Sequence, residues 1–300
     1  MKRNIYSKLW MIFFVLMGAA CTNQVEDAIP VSGQPIEFSV QSDWKEISNT
    51  RSNDGKTQFK AGDTIQIFGF HTSSSKDVKK FMYRVNEPAR GQKVAYDGKD
   101  WNYSPKRFWP KEGKLDFYVG YPEYSVLYDE KNQKMTYEQT VNPLELDLLW
   151  GVSTGLDCAT GRNKNVEIKM KHALAKVNIV FAPSLGEITQ AKVSAYKAGC
   201  FSLTDGIPDW SVVDKTDIQK AISPYEGQSK MGDVTVFILP DKITGLKLTL
   251  SNGTEIDASE EIKKYTFAAG KAYKLTISKG VQKKNTNSRS IAMSVRCVSE

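Results

Sequence analysis

Residues Gly151-Val152-Ser153-Thr154-Gly155 fit the G-x-S-x-G pattern, in which a serine on a sharp turn attacks an acyl carbon. That chemistry needs a strand before the serine, a helix directly after it, and an acid and a histidine downstream. The apolar "LELDLLW" ahead of Gly151 suits the strand, but "LDCATGRNKN" behind it has loop composition. The only downstream histidine is His172, in a strand pattern. Ser153 therefore reads as a loop residue. A thiol–imidazole pair of Cys158 and His172 finds no support in the spacing. His172 reads as a structural hydrogen-bonding residue.

Other catalytic and ligand-binding chemistry is poorly provided for. His71 and His172 are the only histidines, too few for a zinc site built on imidazole. There is no phosphate-cradling loop, dinucleotide fingerprint or calcium loop. No catalytic, cofactor-binding or metal-binding residue is assigned, and the chain is expected not to be an enzyme. Trp101, Tyr103, Phe108, Trp109, Phe117, Tyr118, Tyr121, Tyr124 and Tyr128 are dense enough for a sugar-stacking platform. Cross-strand aromatic pairs in a β-rich core explain them more simply.

One cysteine does have chemistry in its surroundings. Lys2, Arg3 and Lys8 precede an apolar run from Leu9 to Ala20, whose 12 residues fall short of the roughly 20 that span a bilayer. A basic start, a short apolar core and small residues describe an export signal. Gly18, Ala19 and Ala20 lead into Cys21, which looks like a bacterial lipobox, with Gly18 where leucine is usual. Cys21 is the expected lipidation site. The alternative is an ordinary signal peptide cut nearby. Each buried methylene contributes about 0.8 kcal/mol, so several acyl chains hold firmly. The polar "TNQVEDAIPVSGQP" that follows reads as a tether. Its Glu26 and Asp27 resemble a surface-export mark.

Composition narrows the partners. The formal charge of +7 includes three cations in the signal, leaving +4 on the rest. Acids and bases are interspersed, without the clustered footprint of nucleic-acid binding. With Cys21 set aside, Cys158, Cys200 and Cys297 are an odd set without C-x-x-C, which argues against a disulfide framework. One bridge among them stays open.

The elements that must carry any site are strands. Period-two alternation places Ile36, Phe38 and Val40 on one face of "PIEFSV", and Val166, Ile168 and Met170 on one face of "VEIKMK". "GDTIQIFGF", "LDFYVG", "AKVNIVF", "VTVFILP", "LKLTL" and "YKLTIS" read likewise. "VDKTDIQKAI" is at most a short helix. The fold class is all-β, with two antiparallel β-sandwiches in tandem. The expected divisions are a signal peptide at 1–20, a tether at 21–35, sandwiches at 36–172 and 173–280, and an extension at 281–300. In that extension a polar spacer precedes "IAMSVRCV", which alternates Ile291, Met293, Val295 and Cys297 against Ala292, Ser294 and Arg296. Such a strand wants a sheet, in its own domain or elsewhere.

"FKAGDTIQIFGF", "WNYSPKRFWPKEGKLDFYVGYP", "LDLLWG", "VEIKMKHALAKVNI" and "FAAGKAYKLTI", in this order behind a lipoprotein signal, resemble the fimbrillin family of type V pilins. The resemblance covers about residues 34 to 280. It implies two transthyretin-like sandwiches. It also implies export as an outer-membrane, cell-surface lipoprotein, with cleavage after an arginine that removes the lipidated end and the first strand. The vacated groove then takes a donor strand from another subunit, by β-augmentation. On this resemblance Cys21 is the lipidated cysteine and Arg51 the processing arginine. Ile291, Met293, Val295 and Cys297 are the donor-strand positions. The partners would be other fimbrial subunits, the membrane through the lipid, and host or glycan ligands. No cofactor is implied. The expected function is a fimbrial stalk or tip subunit, and the alternative is a non-polymerising adhesin or glycan-binding lipoprotein.

Overall fold

A computed structural model describes residues 29–42, 58–139, 144–203, 208–224, 231–280 and 293–299. Within them the chain is nearly all strand. The first ten strands are β1 (Val31–Pro35), β2 (Phe38–Ser42), β3 (Thr64–Thr72), β4 (Val78–Met82), β5 (Gln92–Tyr96), β6 (Trp101–Asn102), β7 (Phe108–Pro110), β8 (Lys114–Tyr121), β9 (Val126–Asp129) and β10 (Lys134–Glu138). Then come β11 (Leu149–Asp157), β12 (Val166–His172), β13 (Ala175–Phe181), β14 (Ile188–Ser202), β15 (Trp210–Ile222), β16 (Val234–Ile238), β17 (Ile243–Leu250), β18 (Glu255–Asp257), β19 (Ala272–Lys279) and β20 (Met293–Ser299). Among the described residues one short α-helix, α1, spans Ser259–Ile262.

The all-β expectation holds. An eight-stranded sheet runs β2-β12-β11-β8-β3-β5-β6, with β4 also on β3. A four-stranded sheet runs β16-β13-β19-β20, and a six-stranded sheet runs β18-β17-β14-β10-β9 with β15 on β14. β1 and β7 form a small ribbon. The pairings are antiparallel except β2 on β12 and β13 on β19. The hairpin β9–β10 precedes His172 in the chain, yet β10 pairs with β14 beyond it, Met135 opposite Phe201.

Alternation decides which side chains enter the cores. In β12, Val166, Ile168 and Met170 are buried while Glu167, Lys169 and Lys171 are exposed, a half-buried strand. An N-terminal core gathers Ile36, Phe38, Ile65, Ile67, Leu115, Phe117 and Ile168. A C-terminal core gathers Val177, Ile179, Val193, Leu246, Leu248, Leu275 and Ile277. Between them Phe68, Tyr118, Trp150, Leu174, Phe201 and Phe237 form a third cluster drawn from both halves of the chain.

Two local expectations change. "VDKTDIQKAI" lies in strand β15, not a helix. Val212, Asp214, Ile218, Lys220 and Ile222 are half-buried, while Val213, Lys215, Thr216, Asp217, Gln219 and Ala221 face solvent. That two-residue period follows β14, and tertiary pairing overrides weak helical propensity. The pairing is not straight: β14 advances from Tyr196 to Gly199 while β15 advances from Asp217 to Val212, so β15 carries two extra residues in a double bulge. The second change concerns Val31–Pro35, at the end of the expected tether. It is strand β1, with Val31 opposite Pro110 on β7. Its side chains are mostly exposed, so backbone hydrogen bonding places it rather than an apolar pattern.

Candidate functional site

The N-terminal segment completes the N-terminal core from outside the rest of the chain. β2 lies parallel to β12, with Phe38 opposite Val166 and Val40 opposite Ile168. Ile36, Phe38 and Val40 are 0%, 5% and 8% exposed. The Phe38 ring meets Phe117 edge-on at 5.3 Å and Tyr103 at 5.8 Å, the arrangement that aromatic quadrupoles favour.

Backbone hydrogen bonds hold the same segment. The Ile36 amide donates to the Arg107 carbonyl at 2.9 Å, and the Val166 amide to the Glu37 carbonyl at 2.8 Å. The Tyr103 hydroxyl donates to the Ile36 carbonyl at 2.7 Å. Burial pushes that phenol up to about 12. Lys106 adds a surface ion pair to Glu37 at 3.2 Å. Taken away, residues 29–42 would leave a seat walled by Tyr103, Phe117, Val166 and Ile168, with unpaired backbone along β12. Such an edge has the backbone groups and apolar pockets that strand addition uses.

The C-terminal strand lies on another edge. β20 pairs antiparallel with β19, Val295 opposite Ile277 and Cys297 opposite Leu275. Val295 and Cys297 are half-buried against the C-terminal core, while Ser294, Arg296 and Val298 are exposed. The Tyr265 hydroxyl donates to the Val295 carbonyl at 2.5 Å. Burial also raises the Cys297 thiol. Of the residues expected to act, Met293, Val295 and Cys297 are thus placed in β20, while Cys21, Arg51 and Ile291 lie outside the described residues. Tyr103 and Tyr265 carry the tightest contacts to the two strands. In sequence Tyr103 was one aromatic among many and Tyr265 was not singled out, because their acceptors are backbone carbonyls far along the chain.

The enzyme-like residues sit in packing roles. Ser153, expected in a loop, lies within β11 opposite Phe117 of β8. A turn and a short 3-10 segment, Gly161–Asn163, follow β11, so the strand–turn–helix elbow is not formed. Gly151 is needed because a Cβ there would sit 2.8 Å from Ile168 Cγ2 and 3.0 Å from the Lys169 carbonyl oxygen. Cys158 is fully buried, and burial pushes its thiol up to about 11, the opposite of an activated nucleophile. His172 Nδ1 lies 2.5 Å from Asp147 Oδ2, a partner that sequence reasoning missed.

Cys158, Cys200 and Cys297 are free thiols. Among the described residues no group of three or more His, Cys, Asp or Glu could hold a metal ion, and no helix is long and apolar enough to cross a membrane. The aromatics mostly serve the cores: Trp101, Tyr103, Trp109, Phe117, Tyr118 and Tyr128 are buried. Phe108 and Tyr124 are exposed, the latter with the Arg84 and Arg90 guanidinium carbons 4.4 and 4.7 Å from its ring centre.

A fimbrillin-like family profile matches residues 50–292. A candidate cell adhesion protein from Bacteroides uniformis superposes with a TM-score of 0.53 at 16% identity, covering 89% of this chain and 97% of its own. A second, from Bacteroides ovatus, superposes at 0.51 and 13% identity, covering 89% and 96%. Identities this low bear on the fold. No curated protein matches the chain in sequence.

Proposed function

This chain belongs to the fimbrillin-like family, and from that membership we propose that it is a non-enzymatic structural subunit of a cell-surface fimbria. Cys21 carries the lipid that first holds it at the outer membrane. A trypsin-like protease then cuts after Arg51 and removes the lipidated end together with β1 and β2. The emptied seat takes a donor strand from another fimbrial subunit, and the subunit's own C-terminal strand, through Ile291, Met293, Val295 and Cys297, serves the next.

The observation that carries this reading is the way β2 is built in. Ile36, Phe38 and Val40, with the backbone bonds around them, come from a segment that reaches β3 through residues 43–57, where Arg51 lies. A segment that contributes so much to a core, yet sits next to the connection proposed to be cut, suits replacement in trans.

A second reading, a non-polymerising adhesin or a tip subunit, is favoured by one observation. β20 is already paired with its own β19. The experiment that separates them treats lipid-free protein with a trypsin-like protease, maps the cut by mass spectrometry, and runs an unboiled detergent gel. A cut after Arg51 with a ladder supports strand donation. A cut without a ladder supports a subunit that only accepts a strand. Resistance at Arg51 supports a permanently anchored adhesin.

A further inference from the structure

Tyr124 stands outside all three cores. It is 52% exposed and lies in the loop between β8 and β9 with φ at +67°, a left-handed backbone that bulky side chains rarely adopt. Such conformations persist where surrounding contacts impose them, and they gather at binding and catalytic sites. The contacts are present here. Arg90 Nη1 donates to the Tyr124 carbonyl at 3.1 Å. On either side, the Glu123 amide donates to the Thr64 carbonyl and the Ser125 amide to the Pro122 carbonyl, both at 3.1 Å. From this ring and the two guanidiniums beside it we infer a binding site for a carboxylated sugar of the uronic-acid type, formed by the β4–β5 turn and the β8–β9 loop.

The two guanidiniums are fixed before any ligand arrives. Glu87 accepts from Arg90 Nε at 2.8 Å and from Arg84 Nη1 at 3.4 Å. Glu123, whose side chain is 5% exposed, accepts from Arg84 Nη2 and, at 2.9 Å, from Lys93 Nζ. Both guanidinium carbons lie within 5 Å of the Tyr124 ring centre, a cation–π distance. Ring and cations therefore form one ordered unit, and little conformational entropy is left to lose on binding. Each carboxylate is answered by two cations, and the three cations together leave one positive charge over. Arg90 commits Nε and Nη1 to the protein. Among the described residues nothing bonds to its Nη2, and a guanidinium fork suits a carboxylate.

The ligand class follows from the two features standing together. A pyranose offers a flat C–H face that packs on an aromatic ring. A uronic acid carries its carboxylate on a ring carbon beside that face, so one sugar residue meets Tyr124 and Arg90 at once. A neutral sugar leaves the surplus positive charge unanswered. An acidic peptide side chain brings a carboxylate without the flat apolar face. No residue of the site precedes Arg51. The site is therefore the same before and after the proposed cleavage, and it serves a fimbrial subunit and a lone adhesin equally.

Isothermal titration of the lipid-free chain with trigalacturonate tests the site. Saturable binding is expected. Methyl esterification of the sugar should weaken it about tenfold or more, and so should Arg90→Lys, which keeps the charge and loses the fork. Tyr124→Ala should cost about tenfold, whereas Tyr124→Phe should stay within about threefold of the native chain. Circular dichroism checks that the variants keep the native fold, and the ester comparison needs no variant at all. Unchanged binding by folded Tyr124→Ala overturns the site. No binding of trigalacturonate overturns the ligand class. Equal or tighter binding of the methyl ester, of a sulfated heparin tetrasaccharide or of a hexaglutamate peptide overturns it too. None of these results bears on the protease and ladder experiment, so this inference and the fimbrial reading fail separately.

Discussion

The hydroxyl of Tyr103 donates to the carbonyl oxygen of Ile36 at 2.7 Å, closing a contact between residues 67 apart in the chain. It ties the N-terminal strand to the body of the molecule through an acceptor that any extended chain can supply. Tyr103→Phe keeps the ring against Phe38 and leaves the Ile36 carbonyl short of a partner. The expected loss is about 1–3 kcal/mol, read as a lower urea midpoint with an unchanged slope.

The same phenol predicts an alkaline limit. An unfolded tyrosine ionises near pH 10, whereas Tyr103 is pushed up to about 12 by burial. Between those values the unfolded chain gives up its proton first, so stability falls as pH rises and levels off above the upper one. The fall attributable to Tyr103 is on the order of 2–3 kcal/mol. Tyr103→Phe should remove that share of the slope in urea titrations between pH 9 and 12, while buried Tyr137 keeps its own share.

Phe38→Ala should be costlier. It removes a ring packed against Phe117 and Tyr103 at a position 5% exposed. The cavity should cost roughly 3–5 kcal/mol in thermal or chemical denaturation of the uncleaved chain.

Gly151 and Ser153 should part company. Gly151→Ala forces a Cβ onto the Lys169 backbone and Ile168, and a loss of about 1–3 kcal/mol is expected from overpacking. Ser153→Ala should stay within about 0.5 kcal/mol. A differential scanning measurement of both variants checks this.

Cys158 should be silent toward alkylation. Its thiol is fully buried and pushed up to about 11, so little thiolate exists at pH 8. Native iodoacetamide labelling followed by mass spectrometry should leave Cys158 unmodified, and labelling in urea should reach it.

Much of this was legible from alternation alone. Ile36, Phe38 and Val40 face one core, and β12 is buried on alternate residues as its spacing implies. What escaped were relations between distant residues. The parallel pairing of β2 with β12 joins Phe38 to Val166, and no local pattern announces a partner that far away. Asp147 beside His172 is another such case, a single carboxylate among many until the fold brings it within 2.5 Å. β15 was misread because its apolar residues are interrupted at Asp214 and Lys220, and only β14 beside it reveals the two-residue period. The Gly151–Gly155 stretch deceived for the opposite reason: its glycines suggest a turn, whereas the first of them serves close contact with β12.

The double bulge in β15 bears on how crowded copies avoid sticking. Among the described residues β15 is a 13-residue strand paired on one side only. A straight edge that long is a ready template for uncontrolled aggregation. The extra residues between Val212 and Asp217 break it into short runs, and Lys215 and Asp217 set opposite charges on its solvent face. On the strand-donation proposal, selectivity depends as much on edges that refuse company as on the seat that accepts a strand.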